Sequence, residues 1–425
     1  MRAEIKKRIE AVRRGEVPKG YKKTKMGIVP EEWKLGSLQD ILHLESRPIP
    51  KPNKPYWRLG LLSHAKGTFH ELVENPEMVQ MDELYQVKDK DLVVNITFAW
   101  EHAIALAGKN DEGMLVSHRF PTYAFNRKVS PEFFGAIVRQ KWFKELLVNI
   151  SPGGAGRNRV MNKSAFLKLP CFIPPYSEQQ KIAEILDACD KVIRLKESLL
   201  GDKRKLKKWL LENLMDPNSG IRLLGFNGKW KEKIFGDLGV FSKGFGISND
   251  DCQTGECPCI KYGDIYMNYN HFVETIISHT EDNIANNGKI ISSGALLFTG
   301  SGEDPLEIGK CVVYLGKENV AIGGDIIIMI PYNINPLFLS YQQYTAKLIS
   351  RKAKLSHGYS IVHIYADQIK SLRVFIPPTI KEQKAIANIL FQMDNEINLL
   401  DKELGEWYKM KKSLMQILLT GMVRV

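Results

Sequence analysis

Phe172-Ile173-Pro174-Pro175 recurs as Phe375-Ile376-Pro377-Pro378, and Ile182-Ala183-Glu184-Ile185-Leu186 recurs as Ile386-Ala387-Asn388-Ile389-Leu390. The shift is 203 residues at the first pair and 204 at the second. Further anchors hold that register: Pro55 and Gly60 fall on Pro258 and Gly263, Pro131 and Phe133 on Pro336 and Phe338, and Gly201 on Gly405. The chain therefore reads as two copies of one unit, a globular part followed by a long helix. Duplication gains most when the target is itself bipartite, and that expectation guides the functional reading.

Each double proline forces an extended entry to the helix behind it, because proline pushes the preceding residue out of the α region. Ser177 is placed to cap the first of these helices. In the second copy Ile386, Leu390, Met393, Ile397, Leu400, Leu404, Trp407, Lys411, Leu414 and Leu418 step by four and three, as a coiled-coil seam does. The same register in the first copy runs through Ile182, Leu186, Cys189, Ile193, Lys196, Leu200, Lys203, Lys207, Leu210 and Leu214. It is weaker in its second half, where Leu199 and Leu206 offer an alternative contact line. Two such seams in one chain bury each other most simply as an antiparallel pair. A helix from Ser177 to Met215 is about 58 Å long at the usual rise per residue. Gly201 and Gly405, at the same mid-helix place, suggest a kink or a close crossing there.

The globular parts read as mixed α and β with Gly-rich loops. Asp91 to Ile96 and Ala295 to Phe298 look like equivalent buried strands, Pro131 to Ile150 and Pro336 to Ser350 like equivalent helices, and Ala321 to Ile330 like a further strand. Val116 to Asn126 has no close counterpart around Val320 to Ile330.

The chain has 425 residues, enough for two or three domains, and its 44% hydrophobic content supports real cores. Mean hydropathy is −0.22, and no apolar run approaches the ~18–20 residues of a membrane span. With a charged N-terminus and no signal-like segment, the expectation is a cytoplasmic protein without membrane contact. The net charge is +12, and Met1 to Lys25 carries ten basic against three acidic residues, reading as a basic helix to Glu16 ended by Val17-Pro18-Lys19-Gly20. Such a balance favours polyanions, nucleic acid first.

Several catalytic motifs fail on inspection. Ile173-Pro174-Pro175-Tyr176 approaches the N-P-P-Y loop of adenine methyltransferases, but isoleucine accepts no hydrogen bond from the amino group under attack. Asp304 to Cys311 mimics a P-loop with an acid where the first glycine belongs and a cysteine where magnesium needs a hydroxyl. Cys252, Cys257 and Cys259 are not spaced as a zinc knuckle, and the repeat aligns Cys259 with Tyr56, so strand residues are the better reading. Glu77, Asp82 and Glu83 make no metal-nuclease pattern. No catalytic residue and no metal ligand is expected.

Taken with Glu178-Gln179 and Glu382-Gln383, the I-A-x-I-L helix starts, the Lys-rich helices, the openings Trp33 to Leu38 and Trp230 to Leu238, and the ending Leu418 to Val425, the chain resembles the specificity (S) subunits of type I restriction-modification enzymes over nearly its whole length. The resemblance implies an α+β architecture: two similar mixed α/β target-recognition domains separated by two long antiparallel coiled-coil helices, with pseudo-twofold symmetry. The expected divisions are a basic N-terminal helix and linker (1–25), the first recognition domain (26–175), a central helix (176–216), the second recognition domain (217–378) and a C-terminal helix (379–425). It implies a non-catalytic subunit that reads a split double-stranded DNA target for host defence, one domain per half-site. Two methyltransferase (M) subunits and restriction (R) subunits would join it, and S-adenosylmethionine, ATP and magnesium would sit on those partners. Because Ile5-Lys6-Lys7 resembles Leu206-Lys207-Lys208, the N-terminus is expected to close a circular arrangement. The rival class is a non-catalytic coiled-coil adaptor whose domains bind protein.

Base and phosphate contacts are expected from basic, Gly-rich loops, since arginine suits guanine and asparagine suits adenine. In the first copy these are Arg157, Asn158 and Arg159 in Gly153 to Arg159, then Lys163, with Lys66, His118 and Arg119. In the second they are Ser242, Lys243, Lys261, Tyr262, His357, Tyr359 and Ser360.

Overall fold

The computed structural model describes residues 3–153, 159–248, 251 and 255–425. The chain divides into two compact units, one of residues 1–196 with 404–425 and one of residues 197–403.

In the first unit a four-stranded antiparallel sheet runs in the order Ile104–Leu106, Leu92–Val94, Thr122–Phe125, Leu42–Glu45. Leu92–Val94 is buried along its whole length, as its unbroken apolar run requires. A five-stranded sheet runs Pro48–Pro50, Glu83–Gln86, Leu115–Val116, Tyr56–Leu61, Thr68–Val73, with Leu115–Val116 parallel to Tyr56–Leu61. The second unit repeats the plan. Its Cys311–Tyr314, Leu296–Thr299, Ile326–Pro331 and Gly239–Lys243 follow one another as the first sheet does, and Phe272–Val273 is added beside Cys311–Tyr314. Its other sheet runs Ser278–Thr280, Cys257–Ile260, Val320–Ile322, Lys289–Ile291, again with one parallel pair, Cys257–Ile260 beside Val320–Ile322. Cys257 and Cys259 are strand residues, and Cys259 is fully buried.

Four local expectations need correcting. Ala321 to Ile330 is not one strand. Gly323-Gly324-Asp325 breaks it, with Asp325 left-handed at φ +63°, and sends the two halves into different sheets. Val116 to Asn126 does have a counterpart, because Leu115–Val116 and Thr122–Phe125 occupy the sheet positions of Val320–Ile322 and Ile326–Pro331. Sheet position survives where side-chain similarity does not. Pro131 to Ile150 is two helices, Pro131–Ile137 and Lys141–Asn149, separated where Gln140 turns extended; Pro336–Gln342 and Ala346–Leu355 split likewise at Thr345. A Cβ on Gly201 or Gly405 would meet nothing within 4 Å, so neither glycine marks a close crossing, and both long helices run unbroken through them.

Those helices, Tyr176–Leu214 (central) and Ile380–Leu418 (C-terminal), are each 39 residues long. In the first unit Ile182 and Leu186 of the central helix share a core with Leu418 and Leu419. In the second, Leu211 and Leu214 share one with Ile386 and Leu390. Burying such a side chain is worth about 1.5–3 kcal/mol. Within the second unit Arg204 pairs with Asp401 at 2.7 Å and Lys207 with Asp394, so the helices run antiparallel. Lys411 pairs with Asp190 in the first unit. Lys207 and Lys411 are repeat equivalents, as are Asp394 and Asp190. The gaps in the apolar seam are thus filled by charge pairs. Leu199 and Leu206, the suggested alternative line, are exposed.

The glutamate and glutamine after each double proline anchor the helix starts. Glu178, 3% exposed, accepts from Trp33 Nε1 at 3.1 Å and from Arg424 Nε at 2.6 Å. Glu382, 1% exposed, accepts from Trp230 Nε1 at 3.2 Å and from Arg222 Nε and Nη2 at 2.8 Å. Gln179 accepts from Ser130 N and Gln383 from Asn335 N, each at 2.9 Å, tying the helix to the N-cap of the neighbouring short helix. The C-terminal segment, not the N-terminus, therefore supplies to the first unit what Arg222 supplies to the second. The N-terminal helix Ala3–Arg13 buries Ile9 and lays Arg8 over the Tyr21 ring, and the Tyr21 hydroxyl donates to Gly421 O at 2.8 Å.

Candidate nucleic-acid interface

In both units the expected contact residues collect beyond the end of the same buried strand. In the first, Leu92–Val94 runs out into Asn95 to His102. The Ile96 amide donates to Arg119 O at 3.0 Å and its carbonyl accepts from Met161 N at 2.8 Å, which fixes the His118-Arg119 loop on one side and the Arg159 to Lys163 segment on the other. Arg159 stacks over the Trp100 ring, 5.4 Å from its centroid, and Lys163 Nζ reaches His118 O at 3.4 Å. The Lys66 loop is held to the same segment by His64 N to Glu101 O (2.9 Å) and Ala65 N to His102 O (2.8 Å). His64 and Ala65 are both left-handed, an unusual state for residues with a Cβ and one that surrounding contacts must enforce. His102 is buried and its ring nitrogen donates to Val138 O at 2.6 Å; burial holds its pKa below the ordinary value. Lys66, His118, Arg119 and Lys163 are exposed and Arg159 half-buried. Arg157 and Asn158 lie outside the described residues.

In the second unit Leu296–Thr299 runs out into Gly300 to Gly302. Gly300 N donates to Asp325 O at 3.0 Å and Gly300 O accepts from Ile364 N at 2.9 Å, the same bracing by two flanking loops. Ser301 Oγ donates to Asp325 Oδ2 at 2.6 Å, Lys243 Nζ lies 3.7 Å from Asp325 Oδ1, and the Tyr262 hydroxyl donates to Ser301 O at 2.7 Å. Burial is the main reason that phenol's pKa is raised. Lys261 precedes the short helix Tyr262–Met267, its backbone amide donating to Asp264 Oδ2 at 3.2 Å, and Ser242 lies on the strand that ends at Lys243. His357 pairs through its backbone with His363, and on the loop between them Tyr359 is fully in solvent and Ser360 exposed.

The sequence reading passed over Asn95, Phe98 and Trp100 in the first unit and Ser301 and Asp325 in the second. One signal was present: Asn95 is a polar residue at the end of an otherwise apolar strand. Of the expected seam residues, Ile182, Leu186, Ile193, Leu200, Leu214, Ile386, Leu390, Ile397 and Leu418 are buried. Leu210, Met393, Leu400, Leu404, Trp407 and Leu414 are half-buried. Among the described residues no helix is long and apolar enough to cross a membrane, and no group of three His, Cys, Asp or Glu is placed to hold a metal.

Two copies of one fold, each ending in a basic loop cluster, match a known family model twice, over residues 30–201 and 227–406; the model describes the type I restriction modification DNA specificity domain. The chain belongs to this family. Its role is that of a type I specificity subunit, which recognises DNA and is neither an enzyme nor a cofactor carrier. It is 24% identical over 440 residues to the provisionally named specificity subunit of the MjaX type I restriction enzyme of Methanocaldococcus jannaschii, covering 95% of this chain and 97% of that one. Among solved folds it is similar to the type I restriction-modification S subunit from M. genitalium, at 16% identity and a TM-score of 0.56, covering 91% of this chain and 96% of that one. A second solved chain, from work on complex assembly and conformational transition of the type I system, gives 15% identity and a TM-score of 0.54, with 93% and 99% covered. Both likenesses concern the fold.

Proposed function

We propose that this specificity subunit reads a two-part DNA target, one half-site per unit, through the loop clusters beyond Leu92–Val94 and Leu296–Thr299. The observation that carries the proposal is that one strand end, in two copies, is braced by the same two backbone bonds while the side chains around it differ. Conserved bracing with divergent contacts is what two different half-sites require. Arg119, Arg159, Lys163 and Lys66 would meet phosphates and guanine edges in the first unit. In the second, Lys243, Lys261, His357, Tyr359 and Ser360 would do so, with Asp325 suited to a cytosine amino group.

The paired helices act as the spacer that fixes the gap between half-sites, and their outer faces carry two methyltransferase subunits, to which restriction subunits add. S-adenosylmethionine, ATP and magnesium then belong to those partners, and the assembly works in the cytoplasm. The test is a map of methylated adenines in cells that carry the complete system. A split motif should appear, and lengthening both long helices by the same one or two turns should widen its unspecified gap. Methylation that keeps the original gap would remove the helices as the spacer. In a binding assay Arg159→Ala should cost about 1–3 kcal/mol on the cognate duplex if it reads a base.

A further inference from the structure

The first unit holds a cavity of about 280 Å³ beside its loop cluster. Its lining is mostly apolar and includes the rings of Tyr56, Phe69, Phe98 and Phe120. Phe69 and Phe98, each 44% exposed, line it together with the half-buried Phe120. Asn95, Ser117 and Arg119 contribute hydrogen-bonding groups. Gly60 is what permits the Phe69 wall, since a Cβ there would fall 2.1 Å from Phe69 Cζ. Asn95 is only 9% exposed; its Oδ1 accepts from Thr97 N at 3.1 Å, and its Nδ2 has no partner among the described residues. Asn95 Nδ2 is not sealed from solvent, so it opens on the cavity and can donate to a ligand there.

We propose that this cavity holds one unstacked base of the target duplex. The inference rests on the DNA-reading role given above and adds a site to it. An extruded base presents two π faces and one hydrogen-bonding edge, which Phe69, Phe98, Asn95 and Arg119 complement together. The Asn95 amide matches an adenine edge. Unstacking costs a few kcal/mol and stacking on an aromatic ring returns about 1–3 per base, so hydrogen bonds from the polar lining groups decide whether a given base is retained. Exposed Lys163 and Lys66, outside the cavity lining, are placed to hold the phosphates on either side. In the second unit the equivalents of Asn95 and Phe98 are Thr299 and Gly302, which offer neither amide nor ring, so only one half-site is treated in this way.

The test uses the full chain assembled with its methyltransferase and duplexes of the mapped target, with the fluorescent analogue 2-aminopurine placed at each position in turn. A bright position is expected in one half-site, distinct from the methylated adenine. Phe69→Ala and Phe98→Ala should each quench that signal and weaken binding about 10-fold, as loss of a base–aromatic stack does. The signal at the methylated adenine should persist in both variants, which shows that they fold and assemble. Brightness confined to the methylated adenine overturns the pocket and leaves the DNA-reading role standing, as does a second bright position unchanged in both variants. A complex indifferent to sequence removes that role and the pocket with it.

Discussion

Replacing the partners of the Lys207–Asp394 pair one at a time and together should expose a coupling of at least about 2 kcal/mol in the second unit. The two side chains are 14% and 10% exposed. Asp394 Oδ2 also accepts from the Tyr341 hydroxyl at 2.7 Å and lies 3.3 Å from His271 Nδ1. Burial pulls the Lys207 pKa below its ordinary value even though Asp394 works against it, so the ammonium depends on its counter-ion. Asp394→Leu leaves that ammonium without its counter-ion and a fully buried Tyr341 hydroxyl without an acceptor, and should cost about 3–5 kcal/mol. Lys207→Met spares the Tyr341 bond and should cost about 2–3 kcal/mol. The double variant removes both charges and orphans only the hydroxyl, at about 1–3 kcal/mol, well below the sum. Native-state hydrogen exchange of the Leu296–Thr299 amides measures the opening of this unit directly. A double variant within about 0.5 kcal/mol of the summed singles would show the charges to be independent. The twin pair Lys411–Asp190, at 18% and 25% exposed, should couple more weakly by the same assay.

His271, buried and facing Lys207, has its pKa pushed down to about 3, so the unfolded chain takes up its proton first as the pH falls. The second unit should therefore lose stability from about pH 6.5 downward, by roughly 2 kcal/mol at pH 5, and His271→Gln should flatten that slope in urea titrations. Lys352 is buried with Nζ on Gly309 O at 2.8 Å, and burial brings its pKa down to about 8. Its folded state sheds the proton before the unfolded state does, so stability should rise between about pH 8 and 10.5. Lys352→Met should raise the Tm at pH 7, and a lowered Tm would show that the Gly309 bond outweighs desolvation. Gly201→Ala and Gly405→Ala, with open space at each Cβ, should each stabilise by about 1 kcal/mol; loss of stability in thermal unfolding would mean that the glycines serve a bend.

The duplication, the strand of Leu92–Val94 and the long helices were legible because each rests on periodicity or repetition, which side-chain pattern carries directly. The equivalence of Thr122–Phe125 with Ile326–Pro331 was not, because sheet position depends on backbone pairing and tolerates any side chain of suitable size. The Gly323-Gly324-Asp325 break was hidden inside an apolar run whose periodicity fits one strand as well as two. Lys207 and Lys411 looked like defects in the seam because their partners, Asp394 and Asp190, lie nearly 190 and over 220 residues away in sequence. The candidate contact loops stood out in the sequence by their glycines and basic residues. Asn95 and Phe98 were missed because they border a strand that reads as core, and only folding brings them beside Arg119.

Unequal construction of the two units leads to a last prediction. The second unit is a single stretch of chain, residues 197–403, and contains both partners of its Arg222–Glu382 anchor. The first is assembled from residues 1–196 and the distant 404–425. Those last residues bring Leu418 and Leu419 to its core, Lys411 to Asp190, and Arg424 to Glu178 and to Glu32 at 2.7 Å. Without them two buried apolar side chains are lost, about 1.5–3 kcal/mol each, and Glu178 is left as an uncompensated buried charge, about 3–5 kcal/mol more. That sum rivals the ~5–15 kcal/mol that holds a typical domain. A fragment of residues 197–403 should unfold cooperatively by itself, whereas a fragment of residues 1–196 should show little exchange protection at Leu92–Val94 until a peptide of residues 404–425 is added. Equal protection with and without the peptide would mean that the first unit is complete before the chain end returns to it.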